Sequence, residues 1–217
     1  MNAFVSQIGE SPLFANVAAD KLEMILKCLG IKMKSYKKNE TIISTGDRLD
    51  YVGGLLKGRI RCFKENTEGY IIVFADVYAP ALFSDILPSA ILESCPVKLS
   101  AIEDCEVFTI NYEKLKLPCP SNCAVHKQII LNLMHSAAEK LVLLANRIEV
   151  LSQPSIRQKV SCFLEHYRGN EKKFAIPFNR NEMAVYLCVD RTRLSKELSK
   201  MRDEGLIWFH LNEFEIL

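Results

Sequence analysis

The chain has 217 residues, a formal net charge of +2, 49% hydrophobic and 25% charged residues, and only 9 Gly and 8 Pro, which excludes collagen-like, low-complexity and disordered classes. No apolar run approaches the roughly 20 residues that span a bilayer, and Met1–Glu10 lacks a basic stretch followed by an apolar core, so a cytoplasmic chain is expected. Its 8 cysteines are scattered through a chain long enough to bury its own core, and they read as reduced thiols.

In chain order, Ala19–Leu29 reads as a helix with Leu22, Ile25, Leu26 and Leu29 on one face. Short strand-like runs follow at Thr41–Ser44, Tyr51–Leu56, Arg59–Lys64, Tyr70–Ala75 and Val107–Ile110. Turn signals such as Gly46-Asp47, Lys57-Gly58 and Glu68-Gly69 separate them. Such close spacing predicts an antiparallel barrel or jelly roll rather than alternating parallel units. A long helix over Ser121–Ser152 follows Pro118 and Pro120, with Ser121 or Asn122 able to cap it. Along it Ile130, Leu133, Ala137, Leu141, Leu144, Ile148 and Leu151 keep a near-heptad spacing, the pattern of a seam that meets a second copy. Leu131, Val142, Leu143 and Val150 widen the apolar surface, so packing on the chain's own barrel stays open beside dimerisation.

After Pro154 the pattern changes again. Ser155–Tyr167 is helical, with Ile156, Val160, Phe163 and Leu164 inward. Phe174–Phe178 is strand-like, Asn179–Leu187 and Asp190–Glu204 are helices around a short turn, and Leu206–Phe209 with Phe214–Leu217 forms a hairpin. The expectation is an α+β chain of three parts: a sensor barrel over 1–120, a dimerisation helix over 121–152 and a winged helix-turn-helix over 153–217. The charge is local. From Ser152 onward 11 Lys+Arg face 9 Asp+Glu, and within Asp190–Arg202 five bases face only Asp190 and Glu197. A basic helix in a near-neutral chain suggests a nucleic-acid contact.

The second helix carries the chemistry. Met183, Leu187, Val189, Leu194, Leu198 and Met201 can form the joint between two crossed helices, and small Ala184 permits their close approach. Asp190 can cap the second helix and place Arg191, Thr192 and Lys196 on its exposed start, with Arg193, Ser195 and Lys200 also along it. An arginine so placed can donate two hydrogen bonds to guanine O6 and N7 in a major groove.

The stretch from Glu182 to Ile207 resembles the Crp/Fnr family of bacterial transcription regulators. Arg191 falls on the family's base-reading arginine, Thr192 stands for the more usual glutamate, and Lys196 for the usual second arginine. Glu40-x-Ile42-x-x-x-Gly46-Asp47, Tyr51-Val52 and Leu56-Lys57-Gly58-Arg59-Ile60 resemble the family's cyclic-nucleotide-binding barrel. The resemblance implies a homodimer on palindromic double-stranded DNA, an effector for the barrel, and RNA polymerase as a partner for an activator. It also implies an effector pocket at Phe83, Ser84, Asp85, Val97, Lys98 and Ser100. The family's phosphate cassette is altered here. Ser84-Asp85 occupies its Gly-Glu place and Val97 its arginine place, so cyclic AMP is not the expected ligand, and no cofactor is assigned.

Cysteine offers another sensor. Cys119 and Cys123, with His126 and the more distant Cys95 and Cys105, can be written as ligands. CxxxC is a weak motif, however, and structural thiols with no metal are the expectation. His135, His166 and His210 read as structural or surface residues. The rival to a DNA-binding regulator is a ligand- or redox-sensing module acting through protein contacts. No Gly-rich phosphate loop, Ser/His/Asp grouping or zinc-protease motif supports an enzyme.

Overall fold

The computed structural model describes residues 3–69, 71–84, 94–116 and 124–217. Tyr70, Asp85, Pro118, Cys119, Pro120, Ser121, Asn122 and Cys123 of the sequence reading lie outside them. Contacts divide the chain into two compact units, 1–139 and 140–217.

The first unit opens with α1 (Ala3–Gly9), a 3-10 turn at Pro12–Phe14 and α2 (Ala19–Leu29). All four residues assigned to the inner face of α2, Leu22, Ile25, Leu26 and Leu29, are buried. The helix stops at Gly30, whose φ of 60° is a left-handed value that glycine adopts without strain. Among the described residues eight strands follow: β1 (Lys32–Tyr36), β2 (Thr41–Ile43), β3 (Tyr51–Lys57), β4 (Arg59–Glu65), β5 (Ile71–Tyr78), β6 (Ala81–Phe83), β7 (Lys98–Ala101) and β8 (Cys105–Asn111). They form two antiparallel sheets of four, ordered β1-β8-β3-β6 and β2-β7-β4-β5. This is the expected jelly-roll barrel, although β1, β6 and β7 are additions to the sequence reading. Leu55, Ile60, Phe83, Leu99, Ala101 and Val107 meet inside it. Side chains from successive β3 positions point to opposite faces, and a Cβ at Gly53 would strike the Phe83 ring while one at Gly54 would strike Phe108. Paired glycines thus let this strand lie against an aromatic ring on each face.

After α3 (Tyr112–Lys116) comes α4 (Ala124–Ser152), 29 residues long. At 1.5 Å per residue it extends about 44 Å. Its start packs into a core of Leu13, Phe14, Leu29 and Phe108, to which it adds Val125 and Ile129, with Ile130 and Leu133 partly buried beside them. Asn132 Nδ2 donates to the Leu13 and Ala15 carbonyls at 2.9 and 2.8 Å, which holds this face of α4 to the 3-10 turn.

The second unit contains the end of α4 and then α5 (Ile156–Arg168), β9 (Lys173–Ala175), α6 (Arg180–Tyr186), α7 (Arg191–Asp203), β10 (Ile207–His210) and β11 (Glu213–Ile216). Ser155 caps α5 by accepting from the Gln158 N–H at 3.2 Å. The expected strand over Phe174–Phe178 is shorter, because Pro177 has no N–H to give a ladder. The β9 strand pairs with β11, so the hairpin is one edge of a three-stranded sheet ordered β10-β11-β9. Val160, Phe163, Leu187, Leu194, Leu198 and Phe214 are fully buried in this unit's core. Burying each side chain of this kind stabilises by about 1.5–3 kcal/mol.

Candidate nucleic-acid interface

The pair α6 and α7 is built by local rules at each end. Asn179 accepts from the N–H groups of Asn181 and Glu182 at 2.9 and 3.0 Å, and Glu182 accepts in return from the Asn179 N–H at 3.0 Å. This reciprocal capping box fixes where α6 begins. Cys188, at φ 52°, makes the left-handed bend that ends it, and the Val189 N–H donates back to the Ala184 carbonyl at 3.0 Å. Asp190 then caps α7 by accepting from the Arg193 N–H at 2.9 Å. Beyond the other end Gly205 is left-handed, at φ 72°.

Leu194, Leu198 and Met201 bury one side of α7. Arg191, Thr192, Arg193, Lys196 and Lys200 are exposed, and Ser195 is half-buried. Thr192, Ser195, Lys196, Ser199 and Lys200, with Asp203 and Glu204 at its far end, line one shallow surface groove along the outer face. Arg191 is the first helical residue, at the open end of that face.

Charge on α7 is sorted by α5. Arg157 donates from Nε to Glu197 at 2.6 Å and from its two terminal nitrogens to Glu204 at 2.6 and 3.0 Å. Both acids are therefore neutralised from the α5 side, while among the described residues Arg191, Arg193, Lys196 and Lys200 have no carboxylate within ion-pair distance. The start and middle of the outer face are left basic by placement, which the near-balanced composition alone does not give, while Asp203 at its end pairs with Arg202 at 3.2 Å. Arg157 holds the Glu204 carboxyl below its ordinary value of 4.5. A depressed carboxylate contributes stability above its unfolded value and loses it as pH falls through the folded one. Arg157→Gln is accordingly expected to lower the urea midpoint at pH 7, with the deficit fading as the pH drops below about 4.5. Paired urea titrations across pH 3–7 check this.

The remaining expected sites are distributed as follows. Of the effector-pocket set, Phe83 is buried against Gly53, and Val97 is buried in the barrel core. The Ser84 hydroxyl donates to the Tyr51 carbonyl and accepts from the Gly53 N–H, each at 3.2 Å. Lys98 is half-buried with its ammonium 5.7 Å from the Phe63 ring centre, and Ser100 is buried on β7. Across the ladder Ser100 faces Arg61, whose guanidinium makes a bidentate pair with the shielded carboxylate of half-buried Asp76 at 2.7 Å on both arms. Asp85 lies outside the described residues.

The long-helix residues divide by face. Ile130 and Leu133 pack partly against the chain's own core, whereas Leu141, Leu144 and Ile148 are 60%, 40% and 66% exposed, and Leu151 is half-buried. Val150, placed beside the seam from sequence, is fully buried in the second unit's core.

Among the thiols, Cys95 donates to the Val97 carbonyl and Cys105 to those of Arg59 and Glu103. Burial pushes the Cys62 thiol up to about 11 and also raises Cys105. Burial thus favours the protonated thiol at Cys62 and Cys105 over a reactive thiolate. His126 is buried, with its Nε2 3.0 Å from the Leu115 carbonyl, and its expected neighbours Cys119 and Cys123 lie outside the described residues. His166 lies on α5, four residues after Cys162, with its Nε2 3.1 Å from the Glu149 carboxylate.

A jelly-roll barrel, a long helix and a three-stranded winged helix-turn-helix, in this order, make up the Crp/Fnr fold. Residues 33–117 match the family model of the cyclic nucleotide-binding domain. Among solved structures the chain is similar to the c-di-GMP responsive global regulator CLP of Xanthomonas campestris, with a TM-score of 0.67 and 15% identity over 92% of this chain and 99% of that one. FixK2 from Bradyrhizobium japonicum gives a TM-score of 0.60 and 20% identity over 86% and 92%. A transcriptional regulator of the CRP/FNR family from Thermus thermophilus gives 0.58 and 17% over 86% and 93%. No curated protein is significantly similar in sequence. Among the described residues, no helix is long and apolar enough to cross a membrane.

Proposed function

We propose that the chain is a homodimeric, sequence-specific DNA-binding transcription regulator. The observation that carries this reading is α7, a capped helix with one side buried, whose exposed Arg191, Arg193, Lys196 and Lys200 carry no ion pair among the described residues while Glu197 and Glu204 pair with Arg157. Arg191, Thr192 and Lys196 occupy the part of the helix that enters a major groove, and Arg193, Ser195 and Lys200 extend the contact. A rival reading, contact with a protein through the same helix, has no comparable support, since the face is polar and basic. Capture of fragmented genomic DNA by the purified chain, followed by sequencing, is expected to return a shared two-fold site. Recovery of fragments with no common sequence would overturn the reading.

The seam that joins two copies follows the exposed stripe of α4. Leu131, Met134, Ala138, Leu141, Ala145 and Ile148 are all exposed and follow one another at intervals of 3 and 4 along the helix. This is a heptad pattern one residue out of phase with Ile130, Leu133 and Ala137.

The barrel is the sensor, and its effector is not cyclic AMP. A buried cyclic phosphate needs a bidentate cation, but Val97 supplies none, and the Arg61 guanidinium opposite Ser100 is already clamped on Asp76. One neighbour of this fold is responsive to c-di-GMP, an effector other than cyclic AMP. Calorimetry with millimolar cyclic AMP is expected to give no binding heat. A micromolar dissociation constant would refute this assignment.

A further inference from the structure

The last turns of α4 and the middle of α5 bring Glu149, Cys162 and His166 together. Each offers one ligand atom, and the three atoms lie within 4.8 Å of one another. Cys162 and His166, four residues apart, project from successive turns of one helix face. Between them in sequence, Phe163 is fully buried and packs on Tyr167 and Tyr186 at ring-centre distances of 4.9 and 5.2 Å, which seats α5 firmly at this point. Glu149 and His166 side chains are 61% and 25% exposed, so the cluster is reachable from solvent and the carboxylate has room to swing.

We propose that Glu149, Cys162 and His166 form a three-ligand site for a divalent transition-metal ion of the zinc class. The donor set is the first reason: sulfur, imidazole nitrogen and carboxylate oxygen suit zinc and its borderline neighbours, whereas calcium and magnesium take oxygen. Charge is the second, because one thiolate and one carboxylate neutralise a divalent ion and the imidazole binds as a neutral ligand, with two protons released if Cys162 and His166 start protonated. Spacing is the third. With bonds of about 2.3 Å to sulfur and 2.0–2.2 Å to nitrogen and oxygen, ligand atoms around a tetrahedral ion stand roughly 3.3–3.6 Å apart. Side-chain rotation closes the difference. The fourth position faces solvent, the arrangement of an open rather than a fully enclosed site.

Among sequence signals, only the Cys162-x-x-x-His166 spacing marks this site. The third ligand comes from another helix. An ion here fastens the end of α4 to α5, the helix whose Arg157 holds α7. Metal binding itself is independent of the DNA-binding reading and is tested without DNA.

The test uses the full chain, reduced and metal-free, titrated with cobalt(II) as a spectroscopic probe. One equivalent per chain is expected to produce tetrahedral ligand-field bands with a thiolate-to-cobalt charge-transfer band, which zinc displaces and a large excess of magnesium does not. Cys162→Ser is expected to abolish the charge-transfer band. His166→Gln and Glu149→Gln are expected to weaken binding by more than the roughly 10–100-fold typical of losing an outer-shell partner. The double variant Cys119→Ser/Cys123→Ser is expected to keep the band. Should Cys162→Ser fail to fold, as read by circular dichroism, the His166→Gln titration decides. Absence of the charge-transfer band, a band that persists in folded Cys162→Ser, unchanged affinity in His166→Gln, or displacement by magnesium would each overturn the proposal.

Discussion

The double variant Leu141→Asp/Ile148→Asp is expected to run as a monomer where the parent chain runs as a dimer. Both side chains are mostly exposed on one chain, so neither substitution disturbs a core of the folded protomer. In a two-fold pairing of α4, each substitution occurs twice, so four carboxylates enter an apolar seam without partners. An unpaired buried charge costs several kcal/mol even after relaxation. Since 1.4 kcal/mol is tenfold in an equilibrium constant, the dimer dissociation constant is expected to rise by at least about 1000-fold. Light scattering at matched concentrations reads the mass directly. A mass still twice that of the chain would place the seam elsewhere. Leu133→Ala is the companion experiment: on the face that packs on the chain's own core, it is expected to lower the melting temperature and leave the mass unchanged.

The second large effect concerns Arg191→Ala. Arg191 is exposed, carries no ion pair among the described residues, and sits at the start of α7, where the helix dipole disfavours a cation. Its removal therefore changes folding stability by no more than about 0.5 kcal/mol, and a loss of affinity reports on DNA alone. If it reads a guanine, the loss is expected to be ~1–3 kcal/mol per half-site, about 5–150-fold, and roughly twice that free energy on a full palindrome. The preference at one base pair of each half-site relaxes with it. Lys200, further along the outer face, is expected to contact phosphate. Its replacement by Ala weakens specific and scrambled duplexes alike and reduces the salt slope by about one unit per contact. Titration of each variant on both duplexes at two salt concentrations separates the two kinds of loss. Equal weakening of both duplexes by Arg191→Ala would make it a backbone contact.

The elements most legible in the sequence were those whose stability is local. The α2 helix repeats its apolar residues at helical spacing and buries all four, and α6 and α7 carry their caps, Asn179 and Asp190, beside them. Strands β3 and β4 are legible because a turn at Lys57-Gly58 joins neighbours in sequence. By contrast β1 is Lys-Met-Lys-Ser-Tyr, four of whose five residues are exposed, with no alternation to detect. It is a strand because β8, some 70 residues further on, offers it a ladder from Lys32↔Thr109 to Tyr36↔Cys105. The short β6 and β7 carry no strand pattern of their own, and only their pairing with β3 and β4 shows them as strands.

The candidate sites divide along the same line. The order of barrel, long helix and helix-turn-helix, and the exposed bases of α7, follow from periodicity, turn residues and charge, all of which act over a few residues. Tertiary structure decided which acids on α7 are silenced, because Arg157 reaches Glu197 and Glu204 from another helix. It brought Glu149 to Cys162 and His166 for the same reason. It also set the phase of the long helix. The sequence offers two apolar stripes one residue apart, Ile130-Leu133-Ala137 and Leu131-Met134-Ala138, and hydrophobicity cannot choose between them. Ile130 and Leu133 of the first pack on the core that holds Leu13, Phe14 and Leu29, and Asn132 locks that rotation through the carbonyls of Leu13 and Ala15. A helix fixes its own period by local hydrogen bonds, but which face it buries depends on surfaces more than a hundred residues away in the chain.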